Sequence, residues 1–127
     1  MEGQAQSGII QGINLAIQEE DWPDTATGMP IFYSNLDSRI MLFGQTPALT
    51  CGYVNNNEQP PDSTGNFGAK GTAEPWLACV TPAIASAFAN ATGVHLYQLP
   101  FTPEKVLSAL GKTQPPNGQS YGYGGGA

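Results

Sequence analysis

The chain has 127 residues, of which 40% are hydrophobic and 11% are charged, and its formal net charge is −6. This length suits a single domain and leaves little room for a complete enzyme with several cofactors. The basic residues form no cluster, which argues against nucleic acid as a partner. An anionic cofactor stays compatible with the composition, because backbone N–H groups also bind phosphate. The four basic residues are Arg39, Lys70, Lys105 and Lys112.

The N-terminus and the apolar runs indicate where the chain resides. Residues 1–8, MEGQAQSG, lack the basic start and apolar run of a signal peptide. No apolar stretch reaches the roughly 18 residues that a membrane span needs. The sequence therefore predicts a cytoplasmic chain without a membrane span, or a periplasmic one if a parent or partner chain carries the signal.

Cys51, Cys79 and His95 show no metal-binding spacing, so the sequence predicts no zinc or iron–sulfur site built by this chain alone. We interpret both cysteines as small buried residues in a reducing compartment. A disulfide between them is the alternative.

The first predicted element is an amphipathic helix over residues 7–20, SGIIQGINLAIQEE, with Ser7 as its N-cap. Gly8 and Gly12 lie four positions apart within it. Because glycine is unfavourable inside a helix, this pair indicates the close approach of either a ligand or a second helix. The acidic run at 19–21 opposes the helix dipole and is expected to be solvated or paired.

The middle of the chain changes character at Met29. Residues 29–54 contain short β-branched and aromatic runs, IFY, RIMLF and ALTCGYV, which predict two or three strands. Residues 55–71 are dense in Asn, Pro and Gly, and predict a long loop of the kind that is often functional.

Two helices are predicted after this loop. The first is alanine-rich, with Thr81 as its N-cap, Pro82 at its first position and Gly93 at its end. The second is short, begins after Thr102 and ends at Gly111.

Together these elements predict an α+β segment that contains a long amphipathic helix, short strands, a loop, an alanine-rich helix and a short C-terminal helix. Residues 1–111 form this segment, and the Gly-, Pro- and Tyr-rich residues 112–127 are predicted to be a disordered tail.

The loop GNFGAKGTAEP, residues 65–75, places Lys70 and Glu74 among three glycines in a charge-poor chain. Its spacing matches neither a P-loop nor a dinucleotide-binding turn. From the residues alone, Glu74 is either a solvated carboxylate at a loop or helix entry, or a general base, a role that favours a buried environment.

Three blocks of the chain, in this order, resemble a known family: MEGQAQSGIIQGINLAIQEE, GNFGAKGTAEP and TPAIASAFANATGVHLYQLPFTPEKVLSAL. The first is similar to a segment in which an EGQ element precedes a glycine-containing helix. The second is similar to a GxKGxGEP active-site loop, and the third to a closing segment with an LPxTPE turn. The blocks are spread over roughly residues 2–110 and together resemble the C-terminal part of the molybdopterin-binding subunit of the xanthine dehydrogenase and aldehyde oxidase family.

The resemblance implies that Glu74 is the catalytic base, that Gln4 hydrogen-bonds the molybdopterin cofactor, and that the backbone of Ala73 lies beside molybdenum. The implied reaction is oxidative hydroxylation of an aldehyde or an N-heterocycle, with the metal as Lewis acid and electron sink. Ala73 departs from the family, which usually has Gly there, and this departure bears on close backbone approach to the metal. Lys70 is interpreted as a structural tether and His95 as a surface or packing residue.

Family subunits are several times longer than this chain, so the resemblance implies that other segments complete the cofactor pocket. The expected partners are the remainder of the molybdopterin-binding subunit, iron–sulfur and FAD subunits, and a small-molecule substrate. The isolated chain is expected to be inactive. The alternative is a noncatalytic interaction module or a degenerate remnant of such a subunit.

Overall fold

The computed structural model describes residues 1–53, 71–72, 74–114 and 124–125. Within these ranges, helices provide most of the regular structure, and two short strands pair antiparallel with Val94 opposite Gly125 and His95 opposite Gly124. The elements are helices α1 (Glu2–Ile17), α2 (Glu74–Thr92) and α3 (Pro103–Ala109), a 3-10 turn (Phe43–Gln45), and strands β1 (Val94–His95) and β2 (Gly124–Gly125).

Helix α1 begins at Glu2, earlier than the predicted residue 7, so Ser7 lies inside the helix and the N-cap prediction is wrong. The residues before Ser7 are mostly good helix formers, and the acidic Glu2 in the first turn suits the helix dipole. The buried stripe of α1 consists mainly of small residues, which allow another helix to approach its backbone. Its buried residues are Ala5, Gly8, Gly12, Asn14 and Ala16.

Helix α2 packs against this stripe at Gly12. A Cβ atom built on Gly12 would lie 2.7 Å from the Cβ of Val80 and 3.2 Å from the carbonyl oxygen of Leu77. The hydroxyl of Thr81 donates to the carbonyl oxygen of Gly12 over 3.3 Å. Of the two interpretations of Gly12, close packing of a second helix is the one the structure supports.

Helix α2 begins at Glu74, and Pro82 lies inside it. The predictions of Thr81 as N-cap and Pro82 as first residue are therefore wrong. Proline is well tolerated in the first turn, where the backbone N–H has no helical partner, and Pro75 occupies that position here. The predicted end is confirmed, because Gly93 follows α2 with a φ of +74°.

The C-terminal helix forms as its local sequence predicts. The Thr102 side chain accepts a hydrogen bond from the backbone N–H of Lys105, and Pro103 is the first helical residue. Gly111 follows the helix with a φ of +67°. These local signals place α3 correctly.

Lys105 connects α3 to the end of α1. Its Nζ lies 3.2 Å from Oε1 of Glu20 and donates to the carbonyl oxygen of Leu99 over 3.1 Å. The Lys105 side chain is 10% exposed and that of Glu20 is 29% exposed. One carboxylate of the acidic run at 19–21 is therefore paired. This agrees with the expectation that the run is either solvated or paired.

We expect Lys105→Met to lower the free energy of unfolding by about 1–3 kcal/mol, because it leaves the Glu20 carboxylate without its partner in a half-buried position. Urea denaturation of the chain measures this change. The exposed Lys112 provides the control, since Lys112→Met should stay within about 0.5 kcal/mol of the parent chain. Equal losses in the two variants would contradict the structural role of the ion pair.

Residues 29–53 contain no strand in the structure. Their regular features are the 3-10 turn Phe43–Gln45 and a single bridge between Pro23 and Pro30. A strand needs a neighbour along its length for its backbone N–H and C=O groups, and among the described residues the predicted strands have only this one bridge. The strands predicted in this region remain a prediction, and so does the α+β fold class that depends on them. Both predictions concern the larger domain of which this chain is a segment.

A tight turn between Trp22 and Ile31 is built around Asp24. Its Oδ1 accepts hydrogen bonds from the N–H of Ala26 over 3.0 Å, the N–H of Thr27 over 2.7 Å and the Thr27 hydroxyl over 2.8 Å. The hydroxyl, followed by the two backbone N–H groups, lowers the pKa of Asp24 below its ordinary value of 3.8.

We therefore expect the Asp24 carboxyl to titrate below pH 3.8 in an NMR pH titration. Because the folded-state pKa is depressed, its stabilisation of the turn is present above pH 3.8 and is lost as the pH falls through the folded-state pKa. Thr27→Val should raise the pKa towards the ordinary value, whereas Thr25→Val should leave it unchanged. Identical titration of the parent chain and Thr27→Val would contradict this assignment.

The apolar core of the described residues is small. It consists of Ala5, Ala16, Leu96 and Phe101, and no large side chain among the described residues is fully buried. The backbone N–H of Phe101 donates to the carbonyl oxygen of Ala16 over 2.7 Å, which fixes the segment before α3 against α1. Small residues at the helix contact thus leave little apolar area to bury.

Many large apolar side chains remain exposed, and most of them lie between residues 22 and 43. Phe43 is 98% exposed, and Tyr33 and Leu36 are each 78% exposed. We call this set the exposed apolar segment: Trp22, Met29, Ile31, Tyr33, Leu36, Ile40, Leu42 and Phe43. So many exposed large apolar side chains within one stretch of the sequence favour an interaction site.

Further predictions concern the two cysteines, membrane spans, and the loop and tail. Cys51 and Cys79 carry free thiols, and Cys79 is exposed on α2, so the prediction that it is buried is wrong. None of the described helices has the length and apolar character to cross a bilayer. The predicted loop up to Lys70, the position Ala73 and most of the predicted tail lie outside the described residues.

Candidate functional site

Glu74 is the first residue of α2, and its side chain is exposed. Gly71 and Thr72 precede it in the described part of the loop, and Pro75 follows it in the first helical turn. Within the described ranges, the Glu74 carboxylate makes no hydrogen bond and no ion pair. The backbone of Glu74 thus belongs to a helix start, and its carboxylate is available to a group outside the described residues.

Gln4 lies in the first turn of α1, and its side chain is exposed as well. Its backbone N–H donates to the carbonyl oxygen of Met1 over 3.0 Å, which belongs to the helical turn. Among residues 1–53, 71–72 and 74–114, no side chain hydrogen-bonds its amide group. One donor and one acceptor are therefore available here.

Tyr53 contacts the beginning of α2. Its ring meets that of Trp76 edge to face, with centroids 5.9 Å apart and an interplanar angle of 82°. Partial removal from water raises the pKa of Tyr53, and the thiol of Cys51 and the carboxylate of Glu2 raise it further. Tyr53 thus contacts the first turn of α2 through Trp76.

Gln4 follows Glu2 by two residues, and Glu74 precedes Trp76 by two residues. Both residues lie in the N-terminal turns of two packed helices. The position of the third predicted residue, Ala73, is outside the described residues.

One carboxylate and one amide can accept a proton and hydrogen-bond a polar ligand, but they cannot enclose a cofactor. No group of three or more His, Cys, Asp or Glu side chains that could hold a metal ion occurs in the described residues. Exposed, unpartnered polar groups fit a cofactor that is held mainly by groups outside this chain. The site is incomplete within the described residues.

Thr72 and Trp76 were not predicted as site residues. The indole Nε1 of Trp76 donates to the hydroxyl of Thr72 over 3.2 Å, across the position of Glu74. The sequence signal for this contact is a hydroxyl and an indole four positions apart, because side chains at that spacing are neighbours on a helix. His95 is exposed in β1 and stacks on Tyr97 with ring centroids 6.1 Å apart, which agrees with its interpretation as a surface residue.

Three curated proteins match most of this chain. The aldehyde oxidoreductase of Megalodesulfovibrio gigas is 38% identical over 115 residues, which cover 86% of this chain and 11% of that protein. The gamma subunit of the 6-hydroxypseudooxynicotine dehydrogenase complex of Paenarthrobacter nicotinovorans is 37% identical over 108 residues, covering 84% and 13%. A putative xanthine dehydrogenase molybdenum-binding subunit of Escherichia coli is 34% identical over 105 residues, covering 83% and 13%.

No protein-family model matches the chain. The relatives nevertheless define its class, which is that of oxidoreductase subunits. More specifically, the chain is homologous to a segment of molybdenum hydroxylase large subunits of the xanthine dehydrogenase and aldehyde oxidase family, and the resemblance seen in its motifs is confirmed. It spans 11–13% of the length of these three relatives.

Proposed function

We propose that this chain is a segment of a molybdenum hydroxylase, in which Glu74 is the general base and Gln4 binds the molybdopterin cofactor. One observation supports this most: both residues sit at family motif positions, and both present unpartnered side chains from the N-terminal turns of packed helices. The substrate class is an aldehyde or an N-heterocycle, and the reaction is oxidative hydroxylation.

The roles of the two side chains follow from their chemistry. A bound molybdenum cofactor supplies Lewis acidity and an electron sink. The Glu74 carboxylate accepts the proton from the attacking oxygen, a task that requires hydrogen-bond reach. The Gln4 amide both donates and accepts hydrogen bonds, which suits the polar edge of a pterin. The backbone of Ala73 is assigned to the side of the metal.

The rest of the pocket is assigned to the remainder of the molybdopterin-binding subunit, since this chain accounts for 11–13% of the length of its relatives. The exposed apolar segment provides the contact surface, because so many uncovered large side chains are unfavourable in water. Iron–sulfur subunits, and an FAD subunit where one is present, accept the electrons.

Purification of the tagged chain from its native host tests this proposal. We expect equimolar molybdenum and pterin in the purified assembly, together with chains that carry the missing segments of the large subunit. Phe43→Ser in the exposed apolar segment should reduce recovery of those chains, whereas Thr25→Ser, at an exposed polar position outside that set, should not. A metal-free chain that purifies alone, from cells whose other molybdoenzymes are loaded, would contradict the proposal and favour a noncatalytic module.

A further inference from the structure

The first turn of α2 contains a contact that the proposed chemistry does not use. Trp76 donates its indole N–H to the hydroxyl of Thr72 over 3.2 Å, and both side chains are half-buried. Thr72 precedes the helix and Trp76 lies inside it, so this hydrogen bond spans the helix start at Glu74. It connects the end of the loop to the helix on either side of the carboxylate.

The indole is itself held in place by Tyr53, which packs against it edge to face. Such aromatic pairs contribute beyond their buried area and fix the ring orientation. A fixed indole offers its N–H in one direction, and Thr72 receives it there.

We propose that Trp76 and Thr72 are positioning residues, which hold the start of α2, and with it the backbone of Glu74, at the position from which its carboxylate extends. This inference rests on the proposed function for its consequence in turnover. Its structural part, the restraint of Glu74 by the Thr72–Trp76 hydrogen bond, stands independently of that function.

Backbone ¹⁵N relaxation of the full chain tests the structural part. Thr72→Val keeps the shape of the side chain but removes the acceptor, and Trp76→Phe keeps an aromatic ring against Tyr53 but removes the donor. In either variant we expect the order parameter of the Glu74 amide to fall from about 0.85 to below about 0.6, while Asn90 at the far end of α2 is unchanged. Thr72→Ser retains the hydroxyl and should restore the parent value.

Steady-state kinetics of the molybdenum-loaded assembly test the catalytic consequence. Thr72→Val and Trp76→Phe should each lower kcat by about 10- to 100-fold with KM unchanged, because the misplaced base impairs the chemical step. Thr72→Ser should recover kcat. Tyr97→Phe, which changes an exposed aromatic residue outside both the candidate site and the exposed apolar segment, is the control and should leave kcat unchanged.

The relaxation and kinetic experiments together distinguish failure of this inference from failure of the proposed function. If the parent assembly turns over and Thr72→Val and Trp76→Phe match it in kcat, the positioning role is overturned while the function stands. If the parent assembly contains no molybdenum and does not turn over, the function fails, and the positioning of the catalytic base fails with it. An unchanged order parameter at Glu74 overturns the restraint in either case.

Discussion

Glu74→Gln is expected to lower the kcat of the assembled hydroxylase by about 10²- to 10⁴-fold, the contribution usual for a general base. Glutamine has nearly the same shape as glutamate but cannot accept the proton. Molybdenum and pterin contents should equal those of the parent assembly, because the change leaves Gln4 and the missing segments in place. Steady-state kinetics combined with metal analysis of the same preparation measure both quantities.

Glu104 provides the matched control for this substitution. It is an exposed carboxylate in the first turn of α3, just as Glu74 is in the first turn of α2. The backbone N–H of Glu104, followed by the Thr102 side chain, lowers the pKa of Glu104, and the proposed reaction assigns its carboxylate no role. Glu104→Gln should retain full turnover. Full turnover of Glu74→Gln as well would remove Glu74 from the mechanism.

The largest effect on stability is expected at Gly12. Gly12→Ala places a Cβ atom 2.7 Å from the Cβ of Val80, closer than real Cβ atoms approach, so α1 and α2 must separate. We expect the free energy of unfolding to fall by about 1–3 kcal/mol, as for other overpacked contacts, which outweighs the helix propensity that alanine gains. Urea denaturation followed by far-UV circular dichroism measures the change.

Gly3 is the control, because it lies in the same helix and a Cβ built there meets nothing within 4 Å. Gly3→Ala should raise the free energy of unfolding by up to about 1 kcal/mol, the propensity difference between the two residues. Opposite signs for the two substitutions would establish the close packing at Gly12. Stabilisation by both would show that α1 and α2 are farther apart than the structure has them.

Elements with strong local chemistry were predictable from the sequence. Thr102 and Gly111 delimit α3, and Gly93 ends α2, because a capping side chain and a positive φ depend on few neighbouring residues. The start of α2 was not found, since Pro82 reads as a first helical residue until the preceding turns are seen to be helical. Propensity alone does not decide between two prolines that can both begin a helix.

The strands predicted in residues 29–54 mark a physical limit of the sequence pattern. Alternation and β-branching favour an extended chain, but a sheet also needs neighbours that bond along the length of a strand. Among the described residues, the segment 29–53 has only the Pro23–Pro30 bridge. The same segment exposes Phe43, Tyr33 and Leu36. The sequence pattern identified the extended conformation that this segment favours. It could not identify the neighbouring part of the molecule that would complete a sheet.

The sequence likewise identified part of the candidate site, as it identified part of the fold. Glu74, Gln4 and Ala73 were found because they occupy family motif positions, and the relatives confirm the family. Homology at this level does not test the role of an individual residue, so these three roles stay predictions. Thr72 and Trp76 escaped the sequence analysis, because their hydrogen bond becomes apparent only when α2 is seen to begin between them.

A cryo-electron microscopy structure of the molybdenum-loaded assembly is the most direct test of the proposed role of Glu74. We expect its carboxylate to lie beside the molybdenum, with the Gln4 amide within hydrogen-bond distance of the pterin and the exposed apolar segment covered by the large subunit. A loaded assembly in which Glu74 and Gln4 face bulk solvent, with the cofactor bound elsewhere, would contradict it.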